Sequence, residues 1–133
     1  MGKRAYCECK GIDLEINGPT RPVQNCHCGQ CLRTHGHYAA YTNVKKSDIT
    51  YLSDTTLTWY RSSDFADRGF CNRCGGSVFW RKDNDDTISI SAGMFENPTG
   101  LETAEHIFVD SKPDYYEISD SLPCSKGSLS SSP

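Results

Sequence analysis

Three thiols fall within six residues at Cys26-His27-Cys28-Gly29-Gln30-Cys31, and a pair flanks them on each side, Cys7-Glu8-Cys9 before and Cys71-Asn72-Arg73-Cys74 after. Cysteines two or three residues apart rarely bridge each other without strain, but they suit a tetrahedral metal, and a sulfur-only set favours zinc. The eight cysteines are an even number, which a secreted disulfide framework would also use. The spacing speaks for metal instead.

Cys71-x-x-Cys74-Gly75-Gly76 has the shape of a zinc knuckle. Its turn aims both sulfurs at one point, and the first glycine can take positive φ and free amides to bond sulfur. A redox Cys-x-x-Cys needs a helix starting at the first cysteine, whereas strand-like residues follow here. Two more ligands would close a tetrahedral site. Cys7 and Cys9 can supply them if they lie on a regular strand, where residues i and i+2 face one side. Cys26, Cys28 and Cys31 are then one ligand short. Three protein ligands and an open position make a catalytic zinc. A thiol binding there would be held as its nucleophilic thiolate. Alternatively Cys124, His27, His35 or His37 fills the fourth place and makes a second structural zinc. Spacing alone fixes neither the fourth ligand nor the pairing of the clusters. Cys124 lies outside any ligand motif and reads as a lone thiol.

These clusters need a small scaffold. A chain of 133 residues is one domain by size, with a modest core that a metal staple would help. The mean hydropathy of −0.60 agrees. With a net charge of −3 and no basic run longer than Lys45-Lys46, nucleic acid is not an expected partner. No apolar run approaches a membrane span, and the N-terminus lacks the apolar segment of a signal peptide. A cytoplasmic protein without membrane association is expected.

Short strands dominate the pattern. They are expected over Tyr6–Ile16, Val23–Cys26, His37–Val44, Ile49–Leu52, Thr56–Ser62, Arg68–Cys71, Ser77–Trp80, Thr87–Ser91, His106–Val109 and Tyr115–Ile118. The polar run Asp83-Asn84-Asp85-Asp86 makes a hairpin of two of them. Only Gly29–His35 suits a turn of helix. The result is an all-β domain of packed sheets over residues 1–124, with a disordered serine-rich tail over 125–133.

Taken in order, Cys7-x-Cys9, Cys26-His27-Cys28-x-x-Cys31, Arg68-Gly69-Phe70-Cys71-x-x-Cys74-Gly75, His106-Ile107-Phe108 with Ser111-Lys112, and Asp120-x-Leu122-Pro123 resemble the glutathione-dependent formaldehyde-activating enzyme family, which also includes centromere protein V. The match runs from Cys7 to Pro123. The resemblance implies a β-tent-like zinc fold of packed antiparallel sheets with little helix. It implies a structural zinc on Cys7, Cys9, Cys71 and Cys74, and a second, more labile zinc on Cys26, Cys28 and Cys31. The implied activity is that of a carbon–sulfur lyase joining glutathione and formaldehyde as S-hydroxymethylglutathione, with a small thiol and a small aldehyde as partners. The chain departs from the family in having Lys10 where a glycine often follows the first pair, Leu32 before Arg33, and Gly93-Met94-Phe95-Glu96-Asn97-Pro98 in place of a Gly-x-Leu-Asp-x-Pro-like segment. None of these removes a metal ligand.

Arg61 or Arg68 could hold a glutathione carboxylate, but surface positions are the ordinary place for arginine. His106 reads as a structural histidine at a strand start, and His35-Gly36-His37 as a weaker metal motif beside a sufficient thiol set. Besides the lyase, two other functions fit the residues: a zinc-stabilised thiol carrier or protein-interaction module without turnover, and a structural protein with two closed zincs.

Overall fold

A computed structural model describes residues 2–127. It contains ten strands, β1 (Lys3–Tyr6), β2 (Ile12–Ile16), β3 (Val23–Cys26), β4 (Ala39–Lys45), β5 (Ile49–Asp54), β6 (Leu57–Arg61), β7 (Ala66–Cys71), β8 (Ser77–Lys82), β9 (Thr87–Ser91) and β10 (Thr103–Ile107), and one seven-residue helix, α1 (Gly29–His35). Two sheets form, one of three strands in the order β1-β2-β5 and one of seven in the order β10-β3-β4-β9-β8-β7-β6.

The alternation of β2, with Ile12, Leu14 and Ile16 all fully buried, turns one face of the small sheet onto the large one. Those residues join Ala5, Val44, Val78, Phe79, Ile88, Ile90, Met94 and Phe95 in the main core. A second, smaller cluster of Cys26, Cys31, Ala39, Tyr41 and Ile107 lies under the central cysteines. The hairpin expected across Asp83–Asp86 is present as β8 and β9.

Several expectations need correction. Tyr6–Ile16 is a hairpin, not one strand. The Lys10 N–H bonds the Cys7 carbonyl at 3.0 Å and the Cys7 N–H bonds the Ile12 carbonyl at 3.1 Å, so Cys7 and Cys9 sit in a tight turn. Lys10 takes φ 63° there, a left-handed conformation natural to the glycine that the family often has at this place. The pair therefore converges through turn geometry, and not through the same-face rule for strands.

The sheets are antiparallel except at one edge, where β10 runs parallel to β3. β10 starts three residues earlier than expected and stops at Phe108, whose φ is 56°. Tyr115–Ile118 forms no strand. Its tyrosines instead pack on rings, Tyr115 on His37 and Tyr116 on His27 and His37. The chain then runs back along β10: the His106 N–H bonds the Pro123 carbonyl at 2.9 Å and the Ser125 N–H bonds the His106 carbonyl at 3.0 Å. At the start of the expected tail, Ser125 and Gly127 both bond the backbone of residues 106–109. Residues 128–133 lie outside the described residues. Among the described residues no helix is long and apolar enough to cross a membrane.

Candidate metal centres

The turn after β1 and the knuckle after β7 bring four sulfurs together. Those of Cys7, Cys9, Cys71 and Cys74 all lie within 4.8 Å of one another, with Cys7 to Cys9 at 3.8 Å and Cys9 to Cys71 at 3.5 Å. A tetrahedron of sulfurs about 2.3 Å from zinc has edges of about 3.8 Å, while a disulfide would need about 2.05 Å. All eight cysteines are free thiols. Backbone amides already face the sulfurs. Ile12 N–H donates to Cys7 Sγ at 3.4 Å, and Arg73 and Cys74 N–H donate to Cys71 Sγ at 3.4 and 3.3 Å. Gly75, at φ 80°, closes the knuckle.

Burial opposes ionisation of Cys71, but the Cys74 amide, the Thr56 hydroxyl and the Arg73 amide outweigh it and leave its pKa at about 5. The Gly11 amide, with help from the Arg73 guanidinium, likewise pulls Cys9 below the ordinary thiol range. Arg73 Nε donates to Cys9 Sγ at 3.2 Å, which offsets part of the charge four thiolates would carry. This donor set fits a closed, four-coordinate metal.

The central trio is built differently. Cys26 ends β3, Cys28 is the N-cap of α1, and Cys31 lies in the first turn of α1. The Cys28 sulfur accepts the Cys31 N–H at 3.3 Å, doing the work that Ser or Asp does at most helix starts. The three sulfurs lie within 4.8 Å of one another, and no fourth His, Cys, Asp or Glu ligand among the described residues joins them. Hydrogen bonds from the Cys26 and Cys31 thiols pull Cys28 far below the ordinary thiol range, while Cys26 is pushed up by the same contacts and by burial.

Each histidine considered from the sequence as a fourth ligand is engaged elsewhere. His27 is fully buried and turns away from the sulfurs, with Nδ1 on the Tyr116 hydroxyl at 2.5 Å and Nε2 on His106 Nδ1 at 2.9 Å. The chain of contacts continues from His106 Nε2 to the Asp120 carboxylate at 3.0 Å. Burial, then the neighbouring His106, lowers His27 to about 4 and keeps its ring neutral near pH 7. His35 bonds the Tyr41 hydroxyl at 2.9 Å and His37 the Tyr115 hydroxyl at 2.5 Å. Cys124 is exposed, beside β10.

Arg68 overturns its expected surface position. It is only 7% exposed. Its guanidinium donates to Gln30 Oε1 at 2.7 Å, to the Thr34 and Tyr41 hydroxyls at 3.2 Å each, and to Cys31 Sγ at 3.4 Å. Arg61 does stay on the surface, paired with Asp83 at 2.6 Å. Neither has a free fork for a carboxylate. A cavity of about 500 Å³ is lined by Cys26, Cys28, Cys31 and Arg68 together with Phe65, Trp80, Phe108 and Lys82.

The polar chain Tyr116–His27–His106–Asp120, buried at its two histidines, and the contacts of Arg68 were not legible as such. Asp120 and Arg68 did stand in the motifs quoted above, which is the signal that could have found them. Lys82 stands in no motif.

Residues 3–111 match the profile of the family described as glutathione-dependent formaldehyde-activating enzyme. An uncharacterized lyase of Schizosaccharomyces pombe is 26% identical over 116 residues, covering 86% of this chain and 83% of its own length. The crystal structure of a Rhodobacter sphaeroides protein shares the fold, with a TM-score of 0.60 at 22% identity over 75% of this chain and 97% of that one. With the family profile spanning most of the chain and both cysteine sets assembled, the protein belongs to the glutathione-dependent formaldehyde-activating enzyme family.

Proposed function

We propose that the protein is a zinc-dependent carbon–sulfur lyase that forms or cleaves a thiol–aldehyde adduct, with glutathione and formaldehyde giving S-hydroxymethylglutathione. In this reading Cys7, Cys9, Cys71 and Cys74 hold a structural zinc, and Cys26, Cys28 and Cys31 hold a second zinc at the reacting site. The observation that carries it is the contrast between the two centres: four converging thiols at one, and at the other three thiols beneath a cavity, with every nearby histidine turned to another partner.

A zinc at the trio would supply one open coordination position and favour the thiolate form of a thiol placed there. The chain's own residues do the rest. Arg68 holds Cys31 and, being cationic, offsets the excess negative charge of three thiolates over one divalent ion. Phe65, Trp80 and Phe108 give the cavity apolar walls that restrict water around the reacting sulfur. In the condensation a C–S bond forms between sulfur and the aldehyde carbon. The carbonyl π pair moves to oxygen, which takes up a proton equivalent to the one the thiol loses. Nothing is oxidised or reduced.

The test is the rate of S-hydroxymethylglutathione formation and breakdown by NMR exchange, with and without zinc-loaded protein. Acceleration that is lost in Cys28→Ala is expected. A rate equal to the spontaneous one would leave a thiol carrier as the better account.

A further inference from the structure

The two arginines that could have held a substrate carboxylate are both engaged. Arg68 distributes its donors over Gln30, Thr34, Tyr41 and Cys31. Arg61 is held by Asp83, Asp67 and the Asp64 carbonyl. Arg81 contacts Asp67 and stacks over the Trp59 ring. Lys82 differs from all three. It lines the cavity above the trio, its residue is exposed, and its ammonium has no hydrogen-bond or ion-pair partner among the described residues.

Strand register places it along the cavity wall. On β8, Trp80 faces Arg68 of β7, and Lys82 faces Ala66. Residues i and i+2 of a strand share a face. Trp80 and Lys82 therefore line one wall, with Trp80 level with the arginine that touches Cys31. Lys82 lies one pleat repeat further out, about 7 Å along the strand. In a peptide ending in Cys-Gly, the terminal carboxylate lies about one to two residues' reach from the sulfur, roughly 5–7 Å. A thiol seated at the trio would carry that carboxylate out to the ammonium.

We infer that Lys82 is a specificity-determining residue, which selects thiols bearing a carboxylate about two residues' reach from sulfur by pairing with that carboxylate at the cavity mouth. This rests on the proposed thiol site at Cys26, Cys28 and Cys31. It assigns the glycyl end of a γ-glutamyl-cysteinyl-glycine-type ligand to the β8 wall and leaves the rest of the peptide to the open mouth. Apolar walls favour the peptide body without discriminating between anionic and neutral thiols, so the discrimination falls to Lys82, the cation of the cavity lining that has no partner among the described residues.

The experiment is calorimetric titration of the zinc-loaded protein with glutathione and with glutathione monoethyl ester, whose glycyl carboxylate is capped. It is run at two salt concentrations on wild type, Lys82→Ala, Lys82→Arg and Lys82→Glu. A charge pair at a solvent-reached rim is worth about a fivefold preference. Wild type should bind glutathione about fivefold more tightly than the ester, and the preference should shrink with salt. Lys82→Ala should bind both equally, Lys82→Arg should keep the preference, and Lys82→Glu should reverse it. Unchanged zinc content and circular dichroism would show that the variants are folded and loaded. If wild type binds both thiols equally, or Lys82→Ala keeps the preference, this inference fails and the thiol site stands. If wild type binds neither, both fail.

Discussion

Arg68 offers the sharpest test of how the second centre is held, and Arg68→Met is the perturbation of choice. Methionine fills much of the same volume but removes the charge and every donor. At 3.4 Å from the Cys31 sulfur, with an effective dielectric constant of about 20, the attraction between guanidinium and thiolate is about 5 kcal/mol. Desolvation of a guanidinium only 7% exposed cancels much of that. Net values for hydrogen bonds to charged groups are about 1.5–3 kcal/mol, and loss of a residue that orients a metal ligand costs about 10- to 100-fold in metal affinity. The two estimates agree. Zinc affinity of the trio should therefore drop about 10- to 100-fold in Arg68→Met, while the quartet, whose sulfurs Arg68 does not touch, should keep its zinc. Competition against a chromogenic chelator resolves the two classes of zinc. Arg68→Lys should fall between, since an ammonium keeps the charge but cannot reach four partners at once. A trio that binds zinc within about threefold of wild type in Arg68→Met would refute the clamp role.

Four other perturbations separate the parts of the scaffold. Cys74→Ala should lose both zincs and unfold or aggregate, because a structural zinc contributes folding energy directly. Cys28→Ala should fold and lose one zinc, and metal analysis with circular dichroism distinguishes the two outcomes. Gly75 holds φ 80° with open space where a Cβ would sit, so Gly75→Ala should cost about 1–2 kcal/mol of backbone strain alone, read from urea unfolding. Burial, then the nearby Arg68, depresses His35 to about 4, below the roughly 6.5 of an unfolded chain. Between those values the unfolded state binds the extra proton. This contribution to stability is complete above about pH 6.5 and is lost as pH falls toward about 4. His35→Gln should flatten that part of a stability-against-pH curve, and an unchanged curve would refute the assignment.

How much of this was legible follows from what each residue's role depends on. Strand alternation in β2 and β9 is a local property, so Ile12, Leu14, Ile16, Ile88 and Ile90 could be placed without a structure. The cysteine clusters were also local, because short-range spacing marks the sulfurs that the fold gathers into two sets able to hold a metal. What failed was conformational detail that composition does not encode. Cys7-Glu8-Cys9 looked like a strand since its flanks are strands, and the left-handed Lys10 that turns the chain carries no glycine to announce it. Tyr115 and Tyr116 have high strand propensity but found ring partners in place of a neighbouring strand. The surroundings of Arg68, His27 and Lys82 depend on cross-strand register and on residues dozens of positions away, which a local pattern cannot report.

That dependence on register also explains why the two centres need not be energetically equal. β7 carries Arg68, which touches the trio, and ends in Cys71, which belongs to the quartet. Beyond the knuckle, the Ser77 hydroxyl donates to the Thr34 carbonyl of α1 at 2.9 Å, while Arg68 bonds Gln30 and Thr34 on the same helix. α1 in turn presents Cys28 and Cys31. The quartet therefore fixes one end of the strand that clamps the trio and the segment that braces its helix. In the opposite direction, no sulfur of the quartet is bonded to α1 or β3 among the described residues. Loss of a metal at the quartet should loosen the trio, whereas emptying the trio leaves the knuckle and the β1–β2 turn with their own amide contacts intact. On the proposed reading, the centre that admits a thiol is kept in register by the one that stays closed.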